Sequence, residues 1–167
     1  METFLVRNQF IILSGISGSG KSIYGEHLRD AHGFHFIETD KKQEFVAEAI
    51  ISNPSLVTRY IEKYGRVAVE WGFFPKYLGF VLALKEQGAR LLWFFSAEEA
   101  TARWAYCIKW EGDPRRLRLW EDQMKRIKDA ELPTWDFQKI ETFRDGRFRS
   151  YDELDKECLG DLRFNCI

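Results

Sequence analysis

The sequence predicts an α/β fold built on a parallel sheet, and two observations carry that prediction. Short, unbroken apolar runs alternate with stretches of helical periodicity along the chain. The first of these runs passes through a glycine-rich loop into a helix. A strand covered by helices on both faces reads as a continuous apolar run, because both of its faces are buried. Strands that alternate with helices imply right-handed crossovers between parallel strands.

The elements follow in order. "QFIIL" (9–13) reads as the first strand, and "KSIYGEHLRDAHG" as the first helix, with Ile23, His27, Leu28 and Ala31 on one face and Gly33 as its stop. "FHFIETD" (34–40) is a second strand ending in acids, "RVAVEWGF" (66–73) a third, "ARLLWFF" (89–95) a fourth and "FQKIETF" (137–143) a fifth. Helical patterns run from Asp40 or Lys41 to Ile51, from Pro54 to Tyr64, and from Phe74 to Gln87. Ser96 is the expected cap of the next helix, with Glu98 and Glu99 in its first turn. Asp113 caps a longer one with Pro114 at its first position, and Ser150 caps a last one that stops at Gly160.

A chain of 167 residues with 45% hydrophobic and 31% charged residues suits a single globular domain spanning 1–167. A formal net charge of -1 argues against strong overall attraction to nucleic acid or to an anionic membrane. The three cysteines, Cys107, Cys158 and Cys166, are odd in number and widely spaced. They match neither a disulfide framework nor a zinc site and read as reduced thiols of a cytoplasmic protein. The first residues lack a signal-peptide core, and no apolar run has the length of a membrane span.

The loop between first strand and first helix reads "GISGSGKS", from Gly15 to Ser22. This is the G-x-x-x-x-G-K-[ST] phosphate-binding pattern in its required strand–loop–helix setting. Gly15, Ile16, Ser17, Gly18, Ser19 and Gly20 form a tight backbone whose N–H groups make an anion-binding nest. The helix N-terminus adds partial positive charge. Lys21 is placed to reach the β- and γ-phosphates, with its side chain facing solvent when no ligand is present. The Ser22 hydroxyl is placed to bind Mg²⁺.

Ligands of open parallel sheets sit at the carboxyl ends of the strands. There the second strand ends in Glu38 and Asp40, and the third in Glu70 and Trp71. Together with "GISGSGKS", the "ETD" after strand two and the later "RWAYCIKWEGDPRRLRLWEDQ" resemble the small P-loop kinases, the group that includes shikimate kinase and gluconate kinase. The resemblance implies a five-stranded sheet of order 2-3-1-4-5 flanked by helices, a helical lid at about 103–118, and Mg²⁺-ATP as phosphoryl donor. It also places adenine against the loop from Thr142 to Gly146. The departures are specific. The first acid of the pair is Glu38 where shikimate kinases carry Asp, and "EWGFFP" stands where that family has a glycine run. The acceptor is therefore not carried over.

Within this frame each residue has two readings. Asp40 either takes the proton of an acceptor hydroxyl or caps a helix. Glu38 either holds a Mg²⁺-bound water beside Ser22 and the acceptor, or is a solvated strand end. Glu70 stands near the metal, near the substrate, or against an arginine. Trp71 and Phe73 line an acceptor pocket or pack the core. The segment from Arg103 to Lys128 carries eight basic against four acidic side chains. It is either a solvated amphipathic helix or a lid whose arginines, Arg103, Arg115 or Arg116, close over the transferring phosphoryl group. Arg103 has a second possible place, stacked on adenine. His27, His32 and His35 read as structural.

The function these readings imply is an ATP-dependent phosphotransferase acting on a hydroxyl of a small molecule. A kinase of nucleic-acid 5′-hydroxyls is the alternative enzyme, disfavoured by the near-neutral charge. A non-catalytic nucleotide-binding or switch protein is the alternative of another class, although the guanine-binding N/T-K-x-D motif is missing.

Overall fold

The computed structural model describes residues 9–51, 54–73, 75–130 and 137–160. Five strands, β1 (Phe10–Gly15), β2 (His35–Glu38), β3 (Val67–Glu70), β4 (Arg90–Phe95) and β5 (Gln138–Glu141), form one parallel sheet in the order β2-β3-β1-β4-β5. Seven helices accompany them: α1 (Lys21–His32), α2 (Glu44–Ile51), α3 (Leu56–Tyr64), α4 (Leu78–Glu86), α5 (Glu99–Lys109), α6 (Pro114–Asp129) and α7 (Tyr151–Cys158).

The period-two geometry of β1 divides the core. Phe10 and Ile12 face one layer, with Val67, Val69, Leu91 and Trp93 beside them and Phe45, Leu56, Val81, Trp120 and Met124 packed above. Ile11 and Leu13 face the other, with Ala68, Leu92, Phe94 and Ile140 beside them and Tyr24, Leu28, Leu154 and Cys158 above. Every residue of β1 is buried. An unbroken apolar run in the centre of a sheet follows directly from two covered faces.

Strand ends are tighter than the apolar runs suggest, for identifiable reasons. β2 stops at Glu38 because Thr39 turns to β3, its N–H and hydroxyl both donating to the Glu70 carbonyl at 3.1 and 2.9 Å. The Glu38 carbonyl then accepts from the N–H groups of Lys41 and Lys42. The next helix accordingly begins at Glu44 rather than at Asp40 or Lys41, so Asp40 is not a helix cap. Two lysines at a helix N-terminus oppose its dipole, whereas Glu44 in the first turn complements it. Pro54 lies in the turn before α3. Ser96 does not cap α5 either. Its hydroxyl donates to the Glu98 carbonyl, and Glu98 is the N-cap residue. The caps at Asp113 and Ser150 form as expected, and Ser150 closes a capping box with Glu153. The expected helix start at Phe74, and Cys166, lie outside the described residues.

One unanticipated element is a hairpin of β6 (Phe143–Arg144) and β7 (Arg147–Phe148). Its turn is Asp145-Gly146, both at positive φ (54° and 72°), the conformation that suits the strand twist in a two-residue hairpin. Arg149 fastens this hairpin to the body. Its N–H donates to the Thr142 carbonyl, and its guanidinium donates to the Glu141 carbonyl and to the Glu157 carboxylate.

All three histidines have structural partners. His27 and His32 both meet Oδ2 of Asp155, at 2.9 and 2.8 Å, and the buried Tyr24 hydroxyl donates to Oδ1. His35 stacks on Tyr64. Burial pushes the Asp155 carboxyl up, but the three donors hold it below the usual value. Asp155→Ala leaves the Tyr24 hydroxyl without its acceptor inside the α1–α7 layer. The expected loss is about 1–3 kcal/mol of stability, read from urea unfolding midpoints at constant slope.

Candidate active site

The glycine loop leaves β1 where the strand order reverses, between β3 on one side and β4 on the other. Three glycines serve three different neighbours. Gly15 (φ 125°) lies so close to β4 that a Cβ there would stand 2.0 Å from the Phe94 carbonyl oxygen. Gly18 (φ 82°) lies under α5, where a Cβ would meet the Ala102 carbonyl oxygen at 2.3 Å. Gly20 (φ 83°) is the N-cap of α1 and lies against the ring of Phe148. No side chain caps α1, so its first-turn N–H groups remain available to an anion.

Lys21 is buried, not solvent-facing. Its ammonium donates to the carbonyls of Gly15 (3.2 Å) and Ile16 (2.7 Å), curled back under the loop. Burial lowers its pKa, and the charges of Glu70 and Asp40 oppose that shift. Glu70 closes the other side. Burial raises its pKa, against the pull of Lys21 and a hydrogen bond from Ser22. Its Oε2 is buried and has no hydrogen-bond partner. Glu38, one strand further out, pairs with Lys41 at 2.6 Å. Of the two acids, it is Glu70, one of the two expected near the metal, that meets the Ser22 hydroxyl.

The segment from Arg103 onward forms a helical hairpin of α5 and α6. The turn between them is compact, with Glu111 (φ 52°) and Gly112 (φ 73°) left-handed and the Gly112 N–H donating to the Cys107 carbonyl. The two helices are joined by Arg103 with Glu121 (3.5 Å) and by the Arg116 guanidinium over the Trp110 ring (4.0 Å). The hairpin is tied to the loop itself, because the buried Trp120 Nε1–H donates to the Ser17 carbonyl at 3.0 Å.

Two cavities open from the loop. One, of about 430 Å³, is bounded by Gly18, Gly20, Lys21, Ser22 and Glu70 below, by Tyr106, Lys109, Trp110 and Arg116 from the hairpin, and by the rings of Phe143 and Phe148. The other, of about 300 Å³, lies between the tail of β3, β4 and α6. Ser17, Asp40 and Tyr106 border both. Asp40 is exposed and stands where the cavities meet.

The structure thus gathers Gly15 to Ser22, Asp40, Glu70 and Arg116. It does not bring Arg115 or Arg103 to either cavity. Arg115 is exposed, its backbone N–H held by the Asp113 side chain. Trp71 is a core residue, its ring against Phe45, Phe73 and Tyr77. Its own N–H continues the sheet by donating to the Leu13 carbonyl. Sequence reading missed Tyr106, Lys109, Trp120 and Phe148. For Phe148 a signal existed, since Asp-Gly between short strands marks a hairpin. For the others, helical spacing alone does not say which face meets the loop.

No family model and no curated protein matches the sequence. Solved structures do match in fold. A shikimate kinase from Acinetobacter baumannii in complex with shikimate superposes with a TM-score of 0.55 at 16% identity, covering 90% of each chain. A gluconokinase from Sinorhizobium meliloti 1021 superposes with 0.56 at 20% identity, covering 92% of this chain and 91% of its own. The architecture is that of the P-loop kinases. The sequence resemblance to that group is matched by strand order and by nearly the whole length of the chain. No helix among the described residues is long and apolar enough to cross a membrane.

The bond from Trp120 to Ser17 is a direct test of how the hairpin is held. Trp120→Phe keeps the ring in the core and removes the donor, a loss of about 0.5–1.5 kcal/mol. Proteolytic cleavage between Arg103 and Arg118 is expected to accelerate by roughly 2- to 10-fold, the rate factor that this energy implies. An unchanged rate would mean that packing alone holds the hairpin down.

Proposed function

We propose that this protein transfers the γ-phosphoryl group of Mg²⁺-ATP to a hydroxyl of a small-molecule acceptor. The observation that carries the reading is that Lys21, Ser22 and Glu70 line one cavity while Asp40 borders both that cavity and a second one. A binder or switch needs a nucleotide site. Only a transferase needs a second cavity that opens onto the same phosphates with a carboxylate between.

The larger cavity is assigned to the nucleotide. Its loop amides and the α1 N-terminus hold the β- and γ-phosphates. Phe143 and Phe148, with a T-shaped contact at 5.3 Å, offer apolar faces for the base. The ammonium of Lys21 exchanges the Gly15 and Ile16 carbonyls for phosphate oxygens. That exchange gives a buried cation a full negative partner and is favourable for that reason.

The residues present fit a magnesium ion. Ser22 offers a hydroxyl, and Glu70, which accepts its hydrogen bond, a carboxylate with one buried, unsatisfied oxygen. Mg²⁺ supplies charge neutralisation at the β- and γ-phosphates. Ser22 and Glu70 would hold it, directly or through water.

The second cavity is assigned to the acceptor. Asp40 orients the hydroxyl and takes its proton as the oxygen bonds to the γ-phosphorus and the bond to the β–γ bridging oxygen breaks, leaving ADP. Arg116 and Lys109 are the hairpin cations that line the nucleotide cavity, and Arg116 is assigned to the transferring phosphoryl group. Its planar fork matches phosphoryl oxygens once it leaves the Trp110 face. The α5–α6 hairpin acts as a lid, with Gly112 as its hinge and nucleotide slowing proteolysis of the turn.

Two variants test the assignment. Lys21→Ala is expected to abolish most acceptor-dependent ADP release and to weaken Mg²⁺-ATP binding in calorimetry, with circular dichroism unchanged. Asp40→Asn is expected to lower turnover by about 10²- to 10⁴-fold, at the low end if proton removal is late. ATP affinity and melting temperature should stay close to wild type, since Asp40 is exposed and caps no helix. Full turnover in either folded variant would overturn the reading.

A further inference from the structure

The acceptor cavity has a composition that discriminates among hydroxyl compounds. Its floor is aromatic and rigid. Trp93 on β4 and Phe73 after β3 are 4% and 7% exposed, and both rings pack on Phe137 at centroid distances of 5.5 and 6.1 Å. The α6 wall adds Ile127, which is buried, and Leu119, an apolar side chain left 56% exposed at the mouth. Among the described residues, Ser17, Tyr106, Asp40, Asp122, Gln123 and Arg126 supply its polar side chains. Asp40 lies at the phosphate end, and Asp122, Gln123 and Arg126 lie along α6.

Charge then decides the class. Among the described residues that line this cavity, two are acids and one is a cation. Arg126 is exposed and stands one helical turn from Asp122, and with Asp40 the described lining carries a net negative charge that opposes a carboxylate. A carboxylate carried deeper would lie on indole and phenyl surface, where an unpaired anion is strongly disfavoured. Three further cations, Lys21, Lys109 and Arg116, line the neighbouring cavity assigned to the phosphates. A flat apolar ring meets the opposite situation, with a preformed aromatic floor and an uncovered leucine above it.

We infer that the acceptor is an uncharged or cationic alcohol carrying a flat ring, and not a sugar acid or a hydroxylated cyclic acid. This deepens the proposed function and rests on it. Trp93, Phe73 and Leu119 bind the ring, Gln123 reads a polar edge of it, and Asp122 sets the charge preference.

The test uses three probes that share one scaffold and one hydroxyl: 3-phenyllactate, 1-phenyl-2-propanol and 1-amino-3-phenyl-2-propanol. Shikimate and gluconate serve as acids without an aromatic ring. Binding to the full chain with Mg²⁺-ADP is measured by calorimetry, and ADP release is measured with Mg²⁺-ATP. The neutral and amino alcohols are expected to bind at least about tenfold more tightly than 3-phenyllactate, the scale of one partly screened charge contact. Asp122→Arg, an exposed rim substitution, should reverse the order of the amine and the carboxylate.

Tighter binding of any of the acids overturns the inference, and so does the lack of saturable binding of the neutral and amino alcohols at millimolar concentration. Failure of this inference is separable from failure of the kinase reading. Acids that bind and drive Lys21-dependent ADP release would remove the acceptor class and leave the phosphotransferase standing. Ring alcohols that bind without any ADP release would do the reverse.

Discussion

A buried ammonium under the glycine loop is the constraint on which the site depends. Lys21 carries its charge into a place with little water, held by two backbone carbonyls and by the fields of Glu70 and Asp40. Desolvating a cation is costly unless it is paired and hydrogen-bonded. Each compensating group comes from a different element. The carbonyls belong to the end of β1 and the loop, Glu70 to the end of β3, and Asp40 to the turn after β2. The register that puts Glu38 beside Glu70, and β3 beside β1, is therefore also what balances the charge.

The loop itself is shaped by close approaches rather than by flexibility. Gly15, Gly18 and Gly20 are each pressed against a different neighbour, at β4, α5 and β7. A backbone enclosed in this way holds its amides in place before any phosphate arrives. Such preorganisation lets dipoles act on charge without a reorganisation cost. The indole of Trp120 extends the same enclosure to α6, so the loop, the β6–β7 hairpin and the α6 wall of the second cavity form one connected assembly.

What could be read from the sequence follows the range of the interactions involved. The strand, loop and first helix were legible because their signals are local: an apolar run, glycines at fixed spacing, and Gly33 in the left-handed conformation at the end of α1. The caps at Asp113 and Ser150 were legible for the same reason. Trp71 was not, because a position just past a strand does not say whether the ring turns to the cleft or to the core. The bond from its N–H to Leu13 settles that it stays with the sheet. Glu38 and Glu70 were both visible as strand-end acids, but their roles differ through a side-chain pair with Lys41 and the approach of Ser22. Tyr106 and Trp120 matter only because two helices fold back over the loop, and no local pattern encodes that approach.

The position of β1 has a consequence for how the chain must assemble. This strand is made before both of its neighbours, residues 67–70 and 90–95, and its loop is not enclosed until Phe148 arrives. Parallel pairing of this kind requires closure of long loops before any ladder bond forms, which slows folding. During synthesis the segment Phe-Ile-Ile-Leu emerges well before the strands that will flank it. An apolar β-former in that state is a hazard for misassembly, so the interval between residues 13 and 95 leaving the ribosome is the stretch of this protein's life when a chaperone has most to cover.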